Sequence, residues 1–151
     1  MERLLMSVAA ALAMIGASGC ASVSQAPAAQ SASAPVRVVY HMTLGLDEAQ
    51  RGMGNVRNHL AADPAARIVV VGNGNGIEFM LDGAKDRNGN PFDVSIQELK
   101  ARGVEFRLCN NTLVQRKIDR ARVVAEADIV PSGVAEAARL QAREGFVYLR
   151  P

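Results

Sequence analysis

The stretch Arg67-Ile-Val-Val-Val-Gly72, followed at once by Asn73-Gly-Asn-Gly-Ile77, decides the fold. Its apolar residues run without interruption, whereas a strand with one solvated face would alternate them with polar residues. A continuous apolar run is typical of a strand covered on both faces in a parallel sheet. We therefore predict that residues 67–72 form a central strand and that the glycines after it supply a tight turn.

Outward from this strand, strand-like and helix-like segments alternate. A β-branched run at 36–42 predicts the first strand. The helical face that follows consists of apolar residues at spacings of three and four: Leu46, Ala49, Met53, Val56 and Leu60. Further along we predict helices at 77–81, 93–102, 112–118 and 134–144, and strands at 104–108, 127–130 and 146–149. This order predicts an α/β domain with a parallel sheet and helices on both faces.

The composition is that of one globular domain without a nucleic-acid footprint. The 151 residues are 49 % hydrophobic and 21 % charged, with a net charge of +2. Aromatic residues make up 4 % and tryptophan is absent, which argues against a base-stacking surface. The loop Asp86-Arg-Asn-Gly-Asn90 does not complete a calcium motif, because Pro91 and Gln97 stand where that motif needs Gly and Glu. We expect no nucleic-acid partner, no metal ion and no cofactor.

The amino terminus has the pattern of an export signal. Met-Glu-Arg3 precedes about a dozen apolar residues, fewer than the roughly 20 that a membrane-spanning helix needs. We predict a signal peptide at 1–19. Ala17-Ser-Gly-Cys20 resembles a bacterial lipobox, in which the cysteine is lipidated and becomes the new amino terminus. Cleavage by ordinary signal peptidase after Ala26 is the alternative.

The segment 20–35 carries no charge and is rich in Ala, Ser and Pro, so we predict a flexible tether. A coil of that length would hold the domain, residues 36–151, on the order of 20 Å from its anchor. These features together place the protein in the bacterial cell envelope. It would be periplasmic and attached to the membrane only through its lipid, or soluble in the periplasm if Cys20 is not lipidated.

Several chemistry-bearing residues follow predicted strands. In a parallel sheet, ligands and chemistry gather beyond the carboxyl ends of the strands, an edge called here the carboxyl-terminal rim. His41 lies at the end of the first strand and the turn Gly72–Gly76 after the second. Cys109 follows the third strand, and Pro131-Ser-Gly133 follows the fourth. We expect these residues to converge at this rim.

Cys109 is the sharpest candidate for a catalytic residue. It precedes a predicted helix, where the backbone N–H groups of Asn110, Asn111 and Thr112 and the helix dipole would stabilise a thiolate or a persulfide anion. Arg107, Arg116 or Lys117 would add positive charge if the fold brings them near. The alternative is that Cys109 is inert packing, since free cysteine is among the most buried residue types.

Two further features at the rim, His41 and the glycine turn, each have a functional and a structural interpretation. His41 can serve as an acid, a base or a hydrogen-bond donor beside Cys109, or it can be structural. In the turn, Gly72, Asn73, Gly74 and Gly76 can present backbone N–H groups to an anion or a nucleotide. Their spacing matches neither G-x-G-x-x-G nor a P-loop, and glycines at positive φ in a tight turn explain them equally.

From about residue 36 onward, the chain resembles the DsrE/DsrF family of small sulfur-relay proteins, which includes TusD-like subunits. The segments that carry the resemblance are 55–58 (Asn-Val-Arg-Asn), the turn 72–76, 102–113 (Arg-Gly-Val-Glu-Phe-Arg-Leu-Cys-Asn-Asn-Thr-Leu), 130–136 and 145–151. The resemblance implies a three-layer α/β/α fold with a mostly parallel five-stranded sheet, and homo-oligomers that are trimers or hexamers. It also implies that Cys109 carries sulfur as a persulfide between a donor and an acceptor protein. Relatives often have His-Gly-Pro-Gly where this chain has Asn73-Gly-Asn-Gly76.

Three functions follow as alternatives. The first is an exported sulfur-handling protein in which Cys109 is the persulfide carrier and His41 a neighbour, an activity akin to that of a sulfurtransferase. The second is a non-catalytic oligomeric binding module with a structural Cys109. The third is a small anion or nucleotide binder at the Gly72–Gly76 turn.

Overall fold

A computed structural model of the protein describes residues 34–151. The signal peptide predicted at 1–19, the lipidation site Cys20 and nearly all of the predicted tether at 20–35 lie outside these residues. Among helices of the part described, none combines the length and apolar character that a membrane crossing requires.

Strands and helices alternate along the domain. The strands are β1 (Arg37–Met42), β2 (Arg67–Gly72), β3 (Glu105–Cys109), β4 (Ala127–Val130) and β5 (Val147–Leu149). The α-helices are α1 (Leu46–Ala62), α2 (Phe92–Ala101), α3 (Asn110–Arg116) and α4 (Gly133–Glu144). Two 3₁₀ helices span Gly74–Met80 and Arg120–Arg122. The predicted alternation is confirmed, with ends shifted by no more than three residues, but the Arg120–Arg122 turn was not predicted.

The five strands form one sheet in the order β4-β3-β2-β1-β5, and every neighbouring pair is parallel. β2 lies in the middle, as its uninterrupted apolar run predicts. Helices cover both faces, which gives the expected three-layer α/β/α fold. Because all strands run the same way, the ends of β1 to β4 meet at one rim.

One face of the sheet carries the larger core. Every second side chain of β1, β2 and β3 points to this face. These side chains pack against α1, α2 and the first 3₁₀ helix. Phe79 lies edge-on to both Phe92 and Phe106, at centroid distances of 5.9 and 6.3 Å. In α2, the buried apolar residues are Phe92, Ile96 and Leu99, while Val94 faces solvent.

The opposite face is covered by α4. Its apolar cluster is smaller and consists of three valines of the sheet with two residues of α4 and one that precedes β5: Val39, Val69, Val71, Ala137, Leu140 and Phe146. Ser132 caps the start of α4 by accepting a hydrogen bond from the Ala135 N–H, and Gly145 ends the helix in the left-handed region at φ 70°.

Candidate active site

Cys109 lies at the carboxyl-terminal rim, where β3 passes directly into α3. It is the last residue of the strand, pairs with Val130 of β4, and occupies the position just before the first helical residue. It is the free cysteine of the described domain, and 4 % of its surface is exposed.

Hydrogen-bond donors surround the sulfur of Cys109. Burial raises the pKa of the thiol, but bonds from the Thr112 hydroxyl and from the backbone N–H groups of Gly133, Thr112 and Asn111 outweigh it. The net effect holds the pKa of Cys109 below its ordinary value. The environment is therefore tightly enclosed but polar, and it favours the thiolate.

The donor of Gly133 comes from a second helix. Gly133 is the first residue of α4, and a Cβ built there would lie 3.2 Å from the Cys109 Cβ and 3.1 Å from the Gly72 carbonyl oxygen. A side chain here would require its neighbours to move by a few tenths of an ångström. Glycine therefore favours the close approach of α4 to the sulfur.

Thr112 connects Cys109 to the glycine turn. Its hydroxyl oxygen accepts a hydrogen bond of 3.0 Å from the Gly74 N–H, so its own O–H is free to donate to the sulfur. Asn111 shares its N–H between the sulfur and the Pro131 carbonyl at 3.2 Å. Asn110, which was predicted to stabilise the anion, begins α3 and is not among the donors that lower the thiol pKa.

His41 is part of a hydrogen-bonded chain of three side chains. Its Nε2 lies 2.7 Å from Asn73 Oδ1, and its Nδ1 lies 2.9 Å from the Tyr148 hydroxyl of β5. The ring is 8 % exposed and packs edge-on to Tyr148. Both ring nitrogens are therefore occupied, and the structure places Asn73, not Cys109, as the direct polar neighbour of His41.

The family model described as DsrE/DsrF-like matches residues 23–150. The chain belongs to this DsrE/DsrF-like family. One similar structure is that of the protein of unknown function MTH1491 from Methanobacterium thermoautotrophicum, with 31 % identity and a TM-score of 0.68 over 77 % of this chain and 99 % of that one. The ychN protein from E. coli shares the fold at 14 % identity, with a TM-score of 0.60 over 78 % of this chain and 98 % of its own. Curated protein sequences give no significant match.

The glycine turn of this DsrE/DsrF-like domain is used for packing. The N–H of Asn73 donates to the Met42 carbonyl, that of Gly74 to Thr112, and that of Gly76 to the Asn73 carbonyl. A Cβ on Gly76 would come within 2.0 Å of the Met42 carbonyl oxygen, and one on Gly72 within 2.5 Å of the Gly76 oxygen. Because these N–H groups already have acceptors in the protein, the geometry does not favour an anion cradle here.

No arginine charge is directed at the sulfur in the DsrE/DsrF-like domain as described, residues 34–151. Arg107 pairs with Glu105 and Glu136, and Arg116 pairs with Glu78 at 2.9 Å. The thiolate is thus stabilised by oriented amides and a hydroxyl. Over the same residues, His, Cys, Asp and Glu side chains form no cluster of three or more that could hold a metal ion.

Sequence reasoning missed two members of this site. Tyr148 belongs to β5, and the pairing of β5 with β1 cannot be read from the residues of either strand. The donor role of Gly133 had a partial signal, since Pro131-Ser-Gly133 follows a strand that ends at the same rim. That α4 would begin against Cys109 follows from the β3–β4 register, which only the folded chain reveals.

Proposed function

We propose that Cys109 is a sulfur carrier, accepting sulfur as a persulfide from a donor and passing it to an acceptor. The observation that carries this proposal is the set of donors converging on one thiol from the starts of two helices and from Thr112. The family, in which sulfur-relay function is plausible, supports it. An idle packing cysteine needs no such donors, since a neutral thiol is only a weak acceptor.

In the loading step, the Cys109 thiolate attacks the outer, or sulfane, sulfur of a donor persulfide. A new S–S bond forms at Cys109 while the S–S bond of the donor breaks, and the donor's remaining sulfur leaves as a thiolate with the electron pair. The proton of the sulfane sulfur stays on it or passes to solvent. One disulfide-type bond replaces another, so no external oxidant or reductant is needed.

In the unloading step, a nucleophile of the acceptor attacks the same sulfane sulfur, and Cys109 leaves as a thiolate. A thiol with a lower pKa is the better leaving group. Cys109 is the attacking thiolate in the loading step and the leaving thiolate in the unloading step. The donors from Gly133, Asn111 and Thr112 therefore stabilise Cys109 in both steps.

The second candidate function is a non-catalytic oligomeric module, and the burial of Cys109 favours it. With 4 % of its surface exposed, the thiol is within the range of cysteines that serve as packing. On this alternative the lowered pKa has no use, and the thiol does not react until the domain opens.

A mass measurement separates the two. The full chain carrying Cys20→Ser has Cys109 as its single thiol, since the sequence holds two cysteines. Incubated with a small persulfide donor at neutral pH, it should gain the mass of one sulfur, and dithiothreitol should remove it. The variant Cys20→Ser/Cys109→Ser is the matched control. Native protein that gains no sulfur, while denatured protein does, would establish the structural role.

We also propose that the protein forms homo-oligomers and that the β5 edge takes part in the contact. Among the described residues β5 pairs with β1 alone, and its three residues, Val147, Tyr148 and Leu149, are exposed and hydrophobic in the single chain. Such an edge invites covering by another chain. Light scattering after size exclusion should give a trimer or hexamer, and Val147→Lys should lower the mass. A monomeric wild-type protein would refute this.

For location, we propose export to the bacterial periplasm with lipidation of Cys20. Support comes from the apolar leader and the small residues before Cys20 in the sequence. Expressed from its own start in a bacterium, the protein should fractionate with membranes, and Cys20→Ala should not yield the lipidated form. Wild-type protein found in the soluble periplasm would favour ordinary cleavage, and protein retained in the cytoplasm would refute export.

A further inference from the structure

We propose that Asn73 is the residue that recognises the sulfane sulfur, with His41 and Tyr148 holding its carboxamide in place. This inference rests on the proposed function, because it concerns the outer sulfur of a persulfide on Cys109. It assigns to Asn73 a donor role at its Nδ2, and to the other two side chains a positioning role.

Asn73 and Cys109 flank the same small residue. A Cβ built on Gly133 would lie 3.1 Å from the Asn73 Cβ and 3.2 Å from the Cys109 Cβ. The two side chains therefore start close together on the rim, one after β2 and one after β3. Asn73 is also fixed at its backbone, since its N–H donates to the Met42 carbonyl and its carbonyl accepts from Gly76.

The hydrogen-bonded chain sets the direction of the carboxamide. Asn73 Oδ1 can only accept, so the 2.7 Å contact places a hydrogen on His41 Nε2, while the other ring nitrogen, Nδ1, lies 2.9 Å from the Tyr148 hydroxyl. A carboxamide presents its oxygen and its nitrogen on opposite sides. Asn73 Nδ2 is thus turned away from His41, and because Asn73 is half-buried and no described protein group within residues 34–151 bonds to this amide, the amide is open to a ligand or to solvent.

The donors already around Cys109 serve a different atom. Gly133, Asn111 and Thr112 act on the thiol itself, since they are the groups that lower its pKa. A persulfide extends one S–S bond, about 2 Å, beyond that atom and carries its charge at the far end. A donor for the sulfane sulfur must therefore come from further along the rim, and the unpartnered amide of Asn73 is such a group.

The experiment measures the rate of sulfur transfer from Cys109 in Asn73 variants made in the Cys20→Ser background. Asn73→Asp keeps the oxygen that His41 donates to and removes the amide donor, and Asn73→Leu removes both. Each variant should transfer sulfur from loaded Cys109 to cyanide about tenfold more slowly, because the amide is proposed to donate to the sulfane sulfur as cyanide attacks it, where the lost bond raises the barrier. The matched control is Asn75→Leu, an exposed residue of the same turn, which should transfer at the wild-type rate.

Tyr148→Phe tests the positioning role. It should slow transfer less than Asn73→Asp does, and it should add no further slowing in the Asn73→Asp/Tyr148→Phe double variant, because both changes act through one amide. In Tyr148→Phe, the pH profile of Cys109 alkylation should stay unchanged. A general loosening of the site would shift that profile.

The outcomes distinguish this inference from the function beneath it. If wild-type Cys109 never takes up sulfur, the proposed function fails. If the wild type loads and transfers sulfur, and both Asn73 variants fold and transfer at its rate, Asn73 has no role and this inference alone is overturned. Additive slowing by Tyr148→Phe would overturn the positioning role.

Discussion

The face of the sheet packed by α1 and α2 buries side chains that are almost all apolar, while the face under α4 buries a small apolar cluster between two polar regions. At one end of α4 lie Cys109 and the chain from Tyr148 to Asn73. Along α4, from Glu136 in its first turn to Glu144 at its end, a closed ring of ion pairs links three arginines and three glutamates: Arg67, Glu105, Arg107, Glu136, Arg139 and Glu144.

The comparison shows that one face of the sheet mainly stabilises the fold, while the other face carries the candidate site. On the α1 side, burial is mainly of apolar side chains, which stabilises the fold without positioning the groups around Cys109. On the α4 side, the ring fixes α4 over β3 through Arg107 and Glu136, whose side chains are only 14 % and 12 % exposed. The same helix brings Gly133 to the thiol, so the polar face positions the site that the apolar face supports.

The largest expected effect is on the apolar face. Phe106→Ala removes a fully buried ring that contacts Phe79, and it should lower the free energy of unfolding by about 3–5 kcal/mol. Chemical denaturation measures this loss. In the folded variant, the pH profile of Cys109 alkylation should equal that of the wild type, and a shifted profile would mean that the two faces are not separable.

Arg107→Met breaks the ion-pair ring and should cost less, about 1–3 kcal/mol, since it leaves the mostly buried Glu136 with Arg139 alone. The hydrogen bond from Arg139, opposed by burial and reinforced by Arg107, holds the pKa of Glu136 below its usual range. The resulting stability is present above the carboxyl pKa of the unfolded chain, roughly 4.3, and is lost as pH falls through the lower folded value.

Denaturation of Arg107→Met at several pH values checks this sign. The deficit relative to wild type should be full at pH 7 and should shrink on acidification below about pH 4. A deficit that is the same at all pH values would assign the effect to lost packing of the arginine stem and not to charge.

Thr112→Val should change reactivity more than stability. It removes a donor to the sulfur, so the alkylation midpoint of Cys109 should move to higher pH and the rate at pH 7 should fall by up to about tenfold. Unfolding should become easier by only about 1 kcal/mol, from the lost bond to the Gly74 N–H. Thr112→Ser keeps the hydroxyl and should restore the midpoint, and failure to do so would point to packing of the methyl group.

The smallest effect is expected outside both faces. Asp47 and Arg87 form a solvent-exposed ion pair, and hydrogen bonding to Arg87 lowers the pKa of Asp47. Solvent screens such pairs, so Asp47→Asn should leave the melting temperature unchanged within error. A loss comparable to that of Arg107→Met would contradict the distinction between the buried ring and surface charge.

Much of the fold could be predicted because apolar spacing reports burial. The run at 68–71 identifies the central strand, and 127–130 matches β4 in full. The helix signal also held through Gly52, whose missing Cβ makes room for Met42. The burial of Glu48 could not be predicted, because its position in the first turn of α1 suggests exposure. It is nevertheless buried, and it accepts hydrogen bonds from the N–H groups of Thr43 and Leu44.

The site was less predictable for a physical reason. The position of Cys109 before a helix is local and can be read from adjacent residues. Gly133, Asn73 and Tyr148 reach the site through strand order and register, which pair segments up to 107 residues apart. Burial of the thiol to 4 % exposure likewise depends on how closely α4 begins against β3.

The pH profile of Cys109 alkylation tests the central claim most directly. Full-length Cys20→Ser protein is treated with iodoacetamide across pH 5–10 while folded, and again in denaturant. The folded protein should react with a midpoint below that of the denatured protein, which should lie near the free-cysteine value of about 8.5. A folded midpoint at or above the denatured one, or no reaction until unfolding, would contradict the account.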